Sequence, residues 1–219
     1  MPGKAGPYIL LLSLGILLAS CATYYQQHYD FNSEFEKGDL PGALEVLQKK
    51  ESLANSKSKF LYFVNNGLLL SIMGKYEASN EFFEKAFLFG EDYHVNYFHE
   101  AAGYLTNPNM SVYRGEDHEH LMLLYFKAIN YLKMNKPEEA LVECRRLNIR
   151  LNQLSDKYQS ERKYQRDAFV HNLMGIIYQS AGDYNNAFIA YRNALEIYDE
   201  DYDKLFSVSA PWQLKKDLL

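Results

Sequence analysis

Cysteine is scarce in this chain: among 219 residues there are two, Cys21 and Cys144. Basic charge is in deficit as well, with 23 Lys and Arg against 28 Asp and Glu and a net charge of −5. No basic stripe runs through it, which argues against recognition of nucleic-acid phosphates. Catalytic signatures are missing too. There is no glycine-rich phosphate loop, no Gly-x-Ser-x-Gly elbow, no His-Glu-x-x-His and no Cys-pair spacing, so an enzyme is not the expected class and no cofactor is implied. Long apolar runs are also lacking. The N-terminal run from Tyr8 to Ala19 covers 12 residues, whereas a bilayer core needs about 20.

What that short run does carry is a secretory layout: one positive charge at Lys4, an apolar stretch broken by Ser13 and Gly15, then small residues. It ends on Leu18-Ala19-Ser20-Cys21, which resembles the bacterial lipobox. The resemblance implies that residues 1–20 are a removed lipoprotein signal peptide and that the Cys21 thiol receives the lipid, palmitate included, holding the chain to a membrane. Residues 21–29 are then a short tether, and Cys144 is the only thiol left, so stability has to come from the core. Ala22 follows Cys21 with no acidic run behind it, and the expected location is the cell envelope, at the outer membrane facing the periplasm.

Beyond the tether an internal ladder recurs. In "NLMGIIYQSAGDYNNAFIAYRNALEIY" it reads Gly175, Tyr178, Gly182, Tyr184, Ala187, Tyr191, Ala194. The same steps find Gly67, Leu70, Gly74, Tyr76, Ser79, Phe83, Ala86, then Ala128, Tyr131, Asn135, Pro137, Ala140, Cys144, Leu147. A weaker copy runs through Phe31, Gly38, Leu40, Ala43 and Leu47. Small residues let two antiparallel helices approach, aromatic residues fill between successive pairs, and a Gly-centred turn joins them. The ladder resembles the tetratricopeptide (TPR) repeat, which implies an all-α fold: a TPR-like right-handed superhelix of antiparallel helix pairs over residues 30–206, with units near 30–53, 60–90, 118–150 and 165–198.

The turn residues Gly38, Gly74, Asn135 and Gly182 stand 36, 61 and 47 residues apart, against about 34 in a regular array. Two insertions follow. The first, about residues 91–117, reads as an extra helix to Leu105 and a loop at Asn107-Pro108. The second, "LNIRLNQLSDKYQSERKYQRD", is charged and helix-favouring and is expected to lengthen both flanking helices.

A further likeness lies in "YRGEDHEHLMLLYFKAINYL" and "ALVECRRLN". These resemble the signature of a little-characterised family of bacterial TPR-type envelope lipoproteins, carried here by Tyr113, Gly115, Glu119, Asn130, Tyr131, Leu132, Val142, Glu143, Arg145, Arg146 and Asn148. The resemblance implies envelope location and interaction rather than a reaction. Physically, Glu143 and Arg146 share a helix face, Arg145 and Asn148 a neighbouring one, and Glu119 is placed to pair with an arginine across the hairpin. Two readings follow for the polar cluster of Tyr113, Gly115, Glu119, Asn130, Glu143, Arg145, Arg146 and Asn148. One is a structural clamp between the insertion loop and the third repeat; the other is a ligand-facing guanidinium pair for carboxylate or phosphate.

His94, His99, His118 and His120, with Glu119, raise a zinc site and with it a metal-dependent hydrolase as a third class, but His118 and His120 would splay apart on a helix, and acidic residues at a helix start explain the stretch without a metal. Cys144 falls on an apolar ladder position and reads as packing, not as a nucleophile. At the C-terminus, "SVSAPWQLKKDLL" starts a further helix over 207–219, either a cap on the last repeat or the opening of a longer protein. The expected function is a lipid-anchored scaffold that binds an envelope protein or extended peptide, since such arrays offer side chains to extended segments. The alternative is a binding lipoprotein for oligosaccharide or cell-wall fragments, with the 19 tyrosines as stacking surfaces.

Overall fold

The computed structural model describes residues 29–50, 57–91, 112–158 and 166–218. The expected signal peptide, Cys21, the expected helix to Leu105 and turn at Asn107-Pro108, His94, His99 and residues 159–165 lie outside the described residues. All regular secondary structure among the described residues is helical. The helices are α1 (29–36), α2 (Leu40–Gln48), α3 (Lys59–Ile72), α4 (Tyr76–Glu91), α5 (Asp117–Lys133), α6 (Pro137–Lys157), α7 (Ala168–Ser180) and α8 (Tyr184–Ile197). A π-helical turn, Tyr198–Tyr202, then leads to two short helices, α9 (Asp203–Phe206) and α10 (Trp212–Asp217).

The chain divides into two compact units, Met1–Asn55 and Ser56–Leu219. In the first, α1 and α2 form a hairpin whose Phe31 and Phe35 rings stack at 6.1 Å, and Ala43, Leu44 and Leu47 of α2 are buried. The second holds three further hairpins, α3/α4, α5/α6 and α7/α8, in which α4 packs on α5 and α6 on α7.

All four hairpins turn by one device. The residue after the first helix is left-handed, with φ of 78° at Gly38, 75° at Gly74, 57° at Asn135 and 76° at Gly182. The amide of the next residue then reaches back to a carbonyl of the last helical turn: Asp39 to Glu34 at 3.0 Å, Lys75 to Leu70 at 2.8 Å, Lys136 to Tyr131 and Asp183 to Tyr178 at 2.9 Å each. This hydrogen-bonded C-cap satisfies carbonyls that the helix end would otherwise orphan, and it needs a residue that tolerates positive φ, which asparagine also does. Asp39 and Asp183 then accept an amide from the first turn of the following helix, Gly42 at 3.0 Å and Asn186 at 3.2 Å. Pro41 and Pro137 take the first-turn positions where no amide is required.

Packing inside each hairpin follows the ladder. A Cβ on Gly67 would stand 2.7 Å from the Phe83 ring, and one on Gly175 would overlap the Tyr191 ring. Where the small residue is Ala128, the matching position opposite is the smaller Cys144, and both are fully buried. Side-chain volume is thus traded between the two helices, as a densely packed interior demands. Ser79, Ala140 and Ala187 are buried at the close crossing, and Ala86, Leu147 and Ala194 one level further on.

The second insertion behaves differently from expectation on one side. It does lengthen α6, which runs 21 residues to Lys157. It does not lengthen α7, because the Asp167 carboxylate accepts the amides of Phe169 at 2.9 Å and Val170 at 3.1 Å and fixes the helix start there. Arg166, just before that cap, pairs with Asp201 and, at 2.7 Å, with Glu200 of the π-helical turn. At the C-terminal end Leu214 of α10 is buried among Ala168, Ala187, Tyr191, Ala194, Ile197 and Tyr198, so α10 packs on the last hairpin.

Candidate functional site

Three helices place their polar faces around one groove. Glu77, Asn80, Glu81 and Glu84 follow helical spacing on α4, Lys127 and Tyr131 on α5 with Met134 just past its end, and Glu139, Val142, Glu143 and Arg146 on α6. With Lys136 at the α5/α6 turn they line an open groove of about 570 Å³. α5 lies between α4 and α6, since it packs on both.

At one end of the groove four charges are locked together. Lys127 is 2% exposed, and its Nζ meets Glu84 Oε2 and lies 2.9 Å from Glu143 Oε1. Arg146 Nη1 lies 2.9 Å from Glu84 Oε2 and 3.4 Å from Glu143 Oε2, and its guanidinium sits 5.1 Å from the Phe87 ring centre. Burial pushes the Glu84 carboxyl upward, but the hydrogen bonds from Lys127 and Arg146 outweigh it and hold the group below its usual 4.5. Two cations and two carboxylates cancel, which is what lets a lysine sit inside a helical core.

Next to this quartet runs a buried amide chain whose directions are fixed one bond at a time. The Gly67 carbonyl can only accept, so Ser79 Oγ donates to it at 2.7 Å. The same Oγ therefore accepts from Asn130 Nδ2 at 2.9 Å, and the second Asn130 Nδ2 hydrogen goes to Asn80 Oδ1 at 2.8 Å. Ser71 Oγ closes the set on Asn130 Oδ1 at 2.7 Å. This leaves Asn80 Nδ2, in a side chain 6% exposed, as a donor without a protein acceptor.

The polar residues singled out in the sequence therefore fall into separate places. Glu143 and Arg146 meet in the quartet, and Asn130 anchors the amide chain beside it. Tyr113, Gly115 and Glu119 form a different unit at the start of α5. There the Glu119 carboxylate accepts the Tyr113 hydroxyl and, at 2.8 Å, the Glu116 amide, closing a capping box. Gly115, at φ 91°, leaves no room for a Cβ beside the Phe60 ring, and the Tyr113 amide donates to the Lys57 carbonyl at 2.9 Å. Burial, then the Glu119 carboxylate, raises the Tyr113 hydroxyl well above its usual value, so it stays a donor.

Glu119 is thus occupied at its own helix end and does not pair with an arginine of α6; Glu84 and Glu143 take Arg146 instead. Arg145 is exposed on another face of α6, and Asn148 Nδ2 lies 3.6 Å from Met174 Sδ across the α6/α7 junction. Of the insertion's described residues, Arg114 donates to the Phe89 carbonyl of α4 at 3.3 Å, and Asp117 pairs with Lys157 at 2.8 Å and Arg150 at 3.6 Å, both of α6. Lys127 and Glu84 were not singled out in the sequence, although a lysine spaced three and four residues from Leu124 and Leu123 and four before Tyr131 sits on the apolar face of its helix, which is a readable signal.

His120 is buried, 2.9 Å from the Arg114 carbonyl and 4.9 Å from the Phe60 ring centre, while His118 is exposed. Among the described residues no group of three or more His, Cys, Asp or Glu could hold a metal ion. Cys144 is fully buried, and burial pushes its thiol up to about 12, so it is a packing residue at neutral pH. No helix among the described residues is long and apolar enough to cross a membrane.

The profile of the tetratricopeptide repeat matches residues 170–201, the span of α7, α8 and the first residues of the π-helical turn. No curated protein matches the chain. The fold is all-α and TPR-like, an architecture whose repeats serve protein–protein interaction.

Proposed function

We propose that this chain is a non-enzymatic scaffold that holds a segment of a partner protein in the groove between α4, α5 and α6. The observation that carries the reading is the groove itself. It combines an apolar strip, Tyr131, Met134 and Val142, with charged walls on a base fixed by a neutralised ion quartet. Its size suits a short extended stretch rather than a folded domain. The repeat match supports interaction as the general role.

The same proposal has the scaffold tied by a lipid on Cys21 to the bacterial envelope, at the outer membrane facing the periplasm. The Leu18-Ala19-Ser20-Cys21 ending of the apolar run supports that part. The sugar-binding alternative is not favoured by any grouping of exposed tyrosines in the groove, where among the described residues Tyr131 is the one tyrosine in the lining.

The test is a quantitative binding comparison between the wild-type chain and Val142→Trp, which fills the groove from a position already exposed. The expected result is an unchanged melt with partner affinity reduced at least about tenfold. Undiminished binding by a folded Val142→Trp would place the interaction elsewhere on the chain.

A further inference from the structure

The groove is not electrically neutral. Five carboxylates, Glu77, Glu81, Glu84, Glu139 and Glu143, face three cations, Lys127, Lys136 and Arg146. Glu84 and Glu143 are neutralised within the quartet, and Glu77 lies 3.7 Å from Lys136. The excess negative charge therefore falls on Glu81 of α4 and Glu139 of α6, both exposed, on the two walls beside the apolar strip of Tyr131, Met134 and Val142.

Resting on the scaffold reading above, we infer that the groove takes an extended partner segment carrying a lysine or arginine beside an apolar residue. The cation meets Glu81 and Glu139, and the apolar side chain lies on Tyr131, Met134 and Val142. An acidic segment is disfavoured on both walls, because like charges would approach in a partly desolvated cleft. The quartet stays intact throughout: its charges are already paired and serve as a rigid base rather than as ligand contacts. Specificity then comes from carboxylates that a variant can neutralise without disturbing the core.

The test uses the full chain and three series of short, end-blocked fluorescent peptides in which leucine alternates with lysine, glutamine or glutamate. Fluorescence polarisation should show the lysine series binding with an affinity that falls as salt rises, and the glutamine series weaker by on the order of tenfold. The glutamate series should be weakest. Glu81→Gln/Glu139→Gln, with an unchanged melt, should weaken the lysine series on the order of tenfold and leave the glutamine series as it was. Equal binding of the glutamine or glutamate series, abolished by Val142→Trp, would overturn the basic-segment inference while leaving the groove as a peptide site. Binding of no series, or binding of all of them that ignores Val142→Trp, would overturn both.

Discussion

Lys127 and Glu143 meet at 2.9 Å with side chains only 2% and 5% exposed, an ion pair inside a helical repeat where packing alone would call for leucine. Removing the cation leaves Glu143 buried with only the more distant Arg146 contact, and leaves Glu84 facing it. Lys127→Ala is therefore expected to cost about 3–5 kcal/mol of stability, the range for breaking a buried pair from one side. Lys127→Met paired with Glu143→Leu should recover much of that loss. Chemical denaturation followed by circular dichroism measures both, and a single variant as stable as wild type would show the pair to be dispensable.

Acid weakens this cluster through Glu84, and a separate contact through Asp117. Glu84 is held below its usual 4.5 in the folded chain, and Asp117, hydrogen-bonded by Lys157 at 2.8 Å and Tyr158 at 2.6 Å, below its usual 3.8 despite burial that opposes both shifts. A depressed carboxyl contributes stability that is fully present above its unfolded value and is lost as pH falls through the folded one. The gap in stability between wild type and Glu84→Gln should accordingly be constant near neutrality and close below about pH 4.5. A gap that persists unchanged into strong acid would mean that the Glu84 charge is not what stabilises the quartet.

Two glycines with positive φ should respond differently to alanine. Gly74, at φ 75°, has open space around its missing Cβ, so Gly74→Ala carries only the backbone cost of about 1–2 kcal/mol. Gly115, at φ 91°, would also drive its Cβ into the Phe60 ring, and Gly115→Ala should be the more damaging of the two. Thermal melts rank them directly. Ala187→Arg, which buries a charge at the close crossing of α7 and α8, should loosen the last hairpin and lower the melt more than either.

The turns were legible in the sequence because a left-handed C-cap leaves a compositional mark. Gly38, Gly74 and Gly182 stand out by residue type, and Asn135 by its place in the ladder. Gly175, Ala187, Tyr191 and Ala194 were equally readable, since a close helix crossing permits only small residues on one side and a large ring on the other. The groove was not. Its quartet joins Glu84 to Lys127 and Arg146 across 43 and 62 residues, and periodicity within one helix says nothing about which face of α4 meets α5. Glu119 misled for a related reason: a carboxylate near a helix start has a local amide to accept, and the 2.8 Å bond from Glu116 satisfied it before any distant arginine could.

The anchor has its own test. Mass spectrometry of the mature N-terminus should find Cys21 as the first residue, carrying diacylglyceryl and acyl groups, and Cys21→Ser should leave an unprocessed precursor. A free, unacylated Cys21 would refute lipid attachment. Protease treatment of intact cells should spare the domain if it faces the periplasm.

The measurement closest to the central claim is site-specific photo-crosslinking in the organism's own cells, with a photoreactive residue at Met134 in the groove lining or at Ile149, exposed on α6 beyond Arg146 and outside that lining. The account predicts a discrete partner adduct from position 134, abolished by Val142→Trp and diminished by Glu81→Gln/Glu139→Gln, and none from position 149. A partner captured at 149 and never at 134 would contradict it.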